Sequence, residues 1–241
     1  KHVLCEKPIA LTAREAEEMV AACEEAGVLL AEAFMYRHHP RYDRLLEVIR
    51  SGEIGQIRGL HGSFTFNNAA DKNNVRYRAD WGGGSIYDVG CYPISAGRLI
   101  MGTEPVSACV TAFFSPEHDF VDMMAQGVIE FPGDVAMTFD CGMWADFRNR
   151  LEILGTDGRI EIPWAFLNPA DGEGFYVVHN GEKREEGHFK TNQYTLQDDD
   201  FARSVFGEQP LRFAPQDAVL NMKVIDACLK SAREKTKVQI G

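Results

Sequence analysis

Gly82-Gly83-Gly84-Ser85-Ile86-Tyr87-Asp88-Val89-Gly90-Cys91-Tyr92-Pro93 is the stretch around which the rest of the chain is read. Three consecutive glycines let a backbone approach a neighbour closely, or adopt φ values that other residues avoid. Ser85 is then placed to cap a helix beginning at Ile86. That helix sets Asp88 and Tyr92 four residues apart, on one face and one turn from each other. Gly90 between them leaves room for a neighbouring chain segment or a flat ligand. A carboxylate beside a phenol is a usable proton-transfer pair. The phenol hydroxyl can exchange a proton with a substrate oxygen, and the carboxylate can orient a substrate hydroxyl. Taken alone, the same residues also describe an ordinary capped helix with a half-buried tyrosine.

Composition narrows the setting. The chain has 241 residues, 45% of them apolar, enough for one large domain or two small ones with a proper core. A formal charge of −11 argues against nucleic acid and anionic membrane as partners. No apolar run reaches membrane-spanning length, and no signal peptide is evident. The six cysteines form no C-x-x-C pair and read as scattered thiols of a reducing cytoplasm. His38-His39 invites a metal reading, but adjacent residues point to different helix faces and no third ligand is close in sequence.

Outward from the central stretch, the amino-terminal side reads as strand, helix, strand. Val3-Leu4-Cys5 is a short buried strand stopped by Pro8. Thr12 caps a helix, with Glu15 at the capping-box position and Gly27 at its end. Val28 to Met35 is an apolar strand of the parallel type, and Pro40 to Ser51 is a further helix. From Gln56 the period changes. Leu60 to Phe66, Pro105 to Ser115, Val121 to Phe131, Val135 to Met143, Arg150 to Leu154, Arg159 to Ile162 and Phe175 to His179 are strand candidates of an antiparallel sheet. The turns Glu130–Asp134 and Gly155–Gly158 join some of them. The helix from Ile86 to Met101 crosses one face. Leu196 to Phe206 is helical, with Asp198-Asp199-Asp200 in its first turns. Pro215 to Glu234 is a long helix, and Lys237 to Ile240 a last strand. The expected fold is α/β plus α+β. Residues 1–55 form the carboxyl-terminal part of a Rossmann-type parallel sheet. Residues 56–241 form an open-faced, mainly antiparallel domain for substrate and oligomer contacts, with the helix near 215–234 placed to pack back on the first unit.

Glu6-Lys7-Pro8 ends the first strand, where open α/β sheets place their ligands. Followed by a GGG-capped helix carrying D-V-G-C-Y, it resembles the glucose–fructose oxidoreductase, inositol dehydrogenase and rhizopine-catabolism (Gfo/Idh/MocA) family. Tyr92 in place of histidine is most similar to the branch with dimeric dihydrodiol dehydrogenase and NADP-dependent D-xylose dehydrogenase. The resemblance implies NAD or NADP as cofactor and a sugar, polyol or cyclic diol as substrate. It implies Tyr92 as acid/base, Lys7 lowering its pKa and hydrogen-bonding the substrate oxygen, and Asp88 orienting a hydroxyl. Glu6, Lys7, Arg37, Arg76 and Tyr194 carry over as cofactor contacts. Arg76 sits in Asn74-Val75-Arg76, where the family often has an aromatic before the arginine. A homodimer or homotetramer through the open sheet face is implied too.

No G-x-G-x-x-G occurs in these residues. In the family that fingerprint comes early, so the chain reads as the later two-thirds of such an enzyme, with NAD(P) binding expected to be weak without the pyrophosphate cradle. The residues that separate NAD from NADP would precede Lys1. A non-enzymatic reading stands beside the enzyme: an inactive oligomerisation or sugar-binding domain that has lost its dinucleotide half.

Overall fold

Val3–Glu6 (β1) and Leu30–Ala33 (β2) pair in parallel, Val3 beside Leu30 and Glu6 beside Ala33. Between them runs Ala13–Glu25 (α1), whose N-cap Thr12 accepts a hydrogen bond from the Glu15 amide at 3.2 Å. The Glu15 carboxylate reaches back to the Leu11 amide at 2.9 Å, closing the expected capping box one residue early. This is a computed structural model, and it describes residues 1–169 and 173–241. The second strand is shorter than the sequence suggests. The chain bends at Phe34 into a single 3-10 turn, Met35–His38, before Pro40–Arg50 (α2).

The remainder is built on a nine-stranded sheet. Its members are Ile57–Asn67 (β3), Ser107–Phe114 (β4), Asp122–Phe131 (β5), Val135–Gly142 (β6), Trp144–Gly155 (β7), Arg159–Pro163 (β8), Glu173–Asn180 (β9), Glu182–Lys190 (β10) and Val238–Gln239 (β11). The order across the sheet is β10-β9-β8-β7-β3-β6-β5-β4-β11. β3 runs parallel to β6, Leu60 beside Met137, so the sheet is mixed, not purely antiparallel. Alternation along the strands buries Leu60 and Phe64, Met137 and Phe139, Ala108 and Val110 on one face and leaves Cys109, Thr111 and Phe113 exposed on the other, the pattern of a sheet covered on one side. Cys91–Met101 (α3) and Pro215–Glu234 (α5) cover the buried face. α5 also packs on α1 and β2, with Gln216 donating to Glu24 at 2.6 Å. β10 and the first half of β7 are strands that the residue pattern did not announce. β10 reads E-K-R-E-E-G-H-F-K and owes its conformation to pairing with β9.

Gln193–Val205 (α4) begins three residues before the sequence suggests, because the Asn192 side chain caps the Tyr194 amide at 2.9 Å. The acidic triplet therefore lies in the second turn. Asp200 answers His38 at 2.7 Å, so its role is a side-chain contact.

Candidate active site

The helix that carries Asp88 and Tyr92 starts differently from the expectation. Ser85 is itself in a helical conformation and makes no cap. Its hydroxyl donates to Asp122 Oδ2 at 2.7 Å, and the Ile86 amide donates to the same oxygen at 2.7 Å. A carboxylate from β5, 36 residues away, thus does the work assigned to Ser85. Burial pushes Asp122 up to about 6. Gly84, at φ +119, is required here: a Cβ on it would lie 2.1 Å from Asp122 Oδ1. Ile86–Gly90 forms a π-helical turn before α3, a feature that recurs at functional sites. A Cβ on Gly90 would meet Cys141 Sγ at 2.9 Å, so the space beside it is filled by β6, not by a ligand.

Asp88 is held from both sides. Lys7 Nζ donates to the Asp88 carbonyl at 2.5 Å and lies 3.4 Å from its Oδ1, while Arg76 Nε donates to Oδ2 at 2.6 Å. Arg76, expected at the cofactor, is thus paired with Asp88. Lys7 Nζ sits 4.8 Å from the centroid of the Tyr92 ring, over its face. The Tyr92 hydroxyl donates to Met35 Sδ at 3.6 Å. The expected lowering of the Tyr92 pKa by Lys7 is not what the structure shows. Burial first, then the neighbouring Cys91, Tyr194, Asp88 and Glu6, push it up. A phenol so placed is held in its protonated form. Cys91, between the two, has a thiol pushed up to about 12 by burial and is no nucleophile.

Glu6, Lys7 and Asp88 line a cleft of about 1020 Å³, closed below by Gly82–Gly84 and Tyr87 and bordered by Arg76 and Trp81. The Tyr87 hydroxyl donates to the Leu11 carbonyl at 2.5 Å, tying the two walls together. Glu32 on β2 accepts from the Ile9 amide at 2.9 Å and fixes the loop after the cis Lys7–Pro8 bond. Its carboxyl is raised to about 7 by burial. Tyr194, half exposed, stands close enough for its ionisation to feel Glu6 and Lys7. Arg37 does not join this group. It is 3% exposed, pairs with Asp217 and stacks on Phe213 at 4.7 Å. His38 and His39 are likewise spent inside the fold, on Asp200 and on the Arg41 amide.

With this geometry in hand, comparison with known proteins gives the class. A family model described as "Oxidoreductase family, NAD-binding Rossmann fold" matches residues 1–34, and one described as "GFO/IDH/MocA C-terminal domain" matches residues 42–161. Over 99% of its length the chain is 34% identical to a D-xylose 1-dehydrogenase (NADP(+)) of Haloferax volcanii, spanning 73% of that protein. It is 33% identical to an uncharacterized oxidoreductase of Rhizobium meliloti, covering 96% of this chain and 71% of the other. Among solved structures, an aldose-aldose oxidoreductase from Caulobacter crescentus complexed with glycerol superposes with a TM-score of 0.90 at 25% identity, over 99% of this chain and 72% of that one. A 3-ketoreductase from Actinomadura kijaniata in complex with NADP and TDP-benzene gives 0.89 at 28% identity, over 96% and 71%. The chain belongs to the GFO/IDH/MocA family of oxidoreductases. The non-enzymatic alternative is not favoured by these relatives.

Sequence reasoning missed Asp122, Glu32 and the Arg76–Asp88 pair. Only the last had a local signal, an arginine 12 residues before the carboxylate on the same loop and helix.

Proposed function

We propose that the protein is an NAD(P)-dependent oxidoreductase of sugars, polyols or cyclic diols, with Tyr92 as proton carrier. The observation that carries this is Lys7, which lies over the ring of Tyr92 and against Asp88 at the wall of a cleft large enough for a nicotinamide and a small carbohydrate. When bound, the nicotinamide supplies or takes the hydride. Glu6 and Lys7, which line the cleft at the carboxyl end of β1, fit that end of the cofactor, and Tyr194 stands close enough to sense their charge. In the direction of reduction, a buried phenol that keeps its proton is in the right state to donate it to the developing alkoxide. Lys7, a cation beside that oxygen, stabilises the charge. Asp88, clamped by Lys7 and Arg76, presents a fixed acceptor to a neighbouring substrate hydroxyl. In the oxidative direction Tyr92 must first lose its own proton, a step that its raised pKa disfavours, and the phenolate then takes that of the substrate hydroxyl.

Tyr92→Phe keeps the ring packing and removes the hydroxyl, whose one contact is the weak one to Met35 Sδ. Turnover of D-xylose with NADP should fall by about 10²–10⁴-fold with the melting temperature unchanged. A variant retaining more than half the activity would remove Tyr92 from the mechanism. The exposed sheet face, with Phe113 and Trp144 in contact at 5.1 Å and exposed by 46% and 47%, supports a homodimer or homotetramer through that surface. Sedimentation as a monomer at micromolar concentration would exclude it. Six unpaired thiols fit a reducing, cytoplasmic setting.

A further inference from the structure

A narrow cavity of about 20 Å³ lies among residues of β2, the turn after it, α4 and the start of α5. Glu32, Arg37 and Gln197 are three of the side chains that line it. Each has one polar atom that is buried without a hydrogen-bond partner: Glu32 Oε2, Arg37 Nε and Gln197 Oε1. Arg37 is 3% exposed and Gln197 5%. Other atoms of the two charged groups are already engaged. Glu32 Oε1 accepts from the Ile9 amide at 2.9 Å, and Arg37 Nη1 pairs with Asp217. Buried polar groups are nearly always satisfied, so three orphans around one cavity call for a common partner.

Charge and count say what that partner is. Among the described residues, Glu32 and Arg37 make no ion pair with each other. Burial raises the Glu32 carboxyl and Arg37 draws it back, so the two charges sense each other across a gap. A cation in that gap would be repelled by Arg37, and an anion by Glu32. The fitting molecule is neutral. The three atoms ask it for one acceptor, toward the Arg37 N–H, and two donors, toward the carboxylate and amide oxygens. Water carries two donors and two acceptor lone pairs and meets all three. Its need for space agrees: one water takes about 10–15 Å³ measured in this way, so the cavity has room for one.

We propose that Glu32, Arg37 and Gln197 bind a single internal water, which accepts from Arg37 Nε and donates to Glu32 Oε2 and Gln197 Oε1. The water positions two elements of the cleft relative to each other. Gln197 lies three residues after Tyr194 on α4. Glu32, through the Ile9 amide, holds the loop that follows Lys7, and Ile9 itself lines the cleft. One molecule thus ties the helix that carries Tyr194 to the loop beside Lys7. The site stands on its own geometry. Its consequence for the cofactor end of the cleft rests on the dehydrogenase reading above.

A high-resolution crystal structure of the unaltered protein tests the site. One water peak should lie within about 3.2 Å of all three atoms. No peak there, or Glu32 in direct contact with Arg37, overturns the proposal. Gln197→Met tests the positioning role, since it keeps length and bulk but removes the acceptor. Hydrogen exchange at the Ile9 amide, which is bonded to Glu32 and not to Gln197, should quicken by about threefold to tenfold. Faster exchange confined to α4, with Ile9 unmoved, would make Gln197 a packing residue and overturn that role. In turnover, the KM for NADP should rise by a similar factor, with kcat within about twofold. An active variant with an unchanged KM for NADP overturns the role as well. A water peak in a protein that oxidises no sugar with NADP keeps the site and rejects the dehydrogenase reading instead.

Discussion

Asp217 and Asp88 are each clamped between two cations, and the cations differ in how far they are exposed. Asp217, on α5, lies between Arg37 and Arg98, the latter bonded to its Oδ1 at 2.8 Å and further paired with Glu104 at 2.6 Å. Both guanidinium groups are almost wholly inaccessible. Asp217 is lowered below the usual carboxylate range because the two arginines outweigh its burial. Asp88 lies between Lys7 and Arg76 at the wall of a cleft, and the Arg76 side chain is 41% exposed. The same charge pattern thus serves two ends. Where it is sealed, it joins α5 to the turn after β2. Where one of the two cations is exposed and the pair borders a cleft, it fixes the direction of a carboxylate that is itself only 16% exposed.

The largest expected effect tests the sealed cluster. Asp217→Asn leaves buried guanidinium charge without its partner and should destabilise the fold by about 3–5 kcal/mol, read as a lower urea midpoint. A loss under about 1 kcal/mol would make the two clusters equivalent and erase the contrast. The next effect is a pH dependence at Glu32, which feels Arg37 and Asp217. Its folded pKa of about 7 stands above the ordinary 4.5. Between those values the folded state binds the proton and the unfolded state does not. Stability from this group is therefore full below about pH 4.5 and is lost as pH rises through about 7, by about 1–3 kcal/mol. Glu32→Gln should flatten that part of the stability–pH curve, and an unchanged curve would place the titration elsewhere. The smallest effect on stability belongs to the open cluster. Asp88→Asn should shift the midpoint by about 1 kcal/mol or less, since Lys7 keeps the Asp88 carbonyl and Arg76 can turn to water, while turnover falls.

The two clusters also show how much of the protein can be read from residues in a row. That Lys7 comes to lie beside Asp88 and Tyr92 was legible because a strand end and a glycine-rich helix start advertise themselves locally. Arg37 stood out for the same reason, beside a strand end, and is buried because α5 supplies Asp217, 180 residues on. Nothing near Arg37 in sequence records that partner. Ser85 was credited with a cap that Asp122 makes, since a cap delivered from another strand leaves no mark at the helix start. The π-turn likewise packs against β6 at Gly90, a contact that the local sequence does not record. Strands with one buried face were readable from alternation. β10 was not, because it has no apolar side and its conformation is fixed by β9, and the parallel β3–β6 pairing depends on topology that periodicity does not encode.

α5 has a consequence for how the molecule comes apart. Its Asp226 accepts from the Ala13 amide at the start of α1 at 2.8 Å, and five residues on its Ser231 accepts from the Val110 amide of β4 at 2.8 Å. One helix is therefore part of the core on both sides, that of the small parallel pair and that of the large sheet. Neither side can melt while the other keeps its packing, for the shared helix would lose half its buried face. The protein should denature as a single cooperative unit, with one calorimetric peak whose van't Hoff and measured enthalpies agree, although two sheets are plainly visible in its architecture.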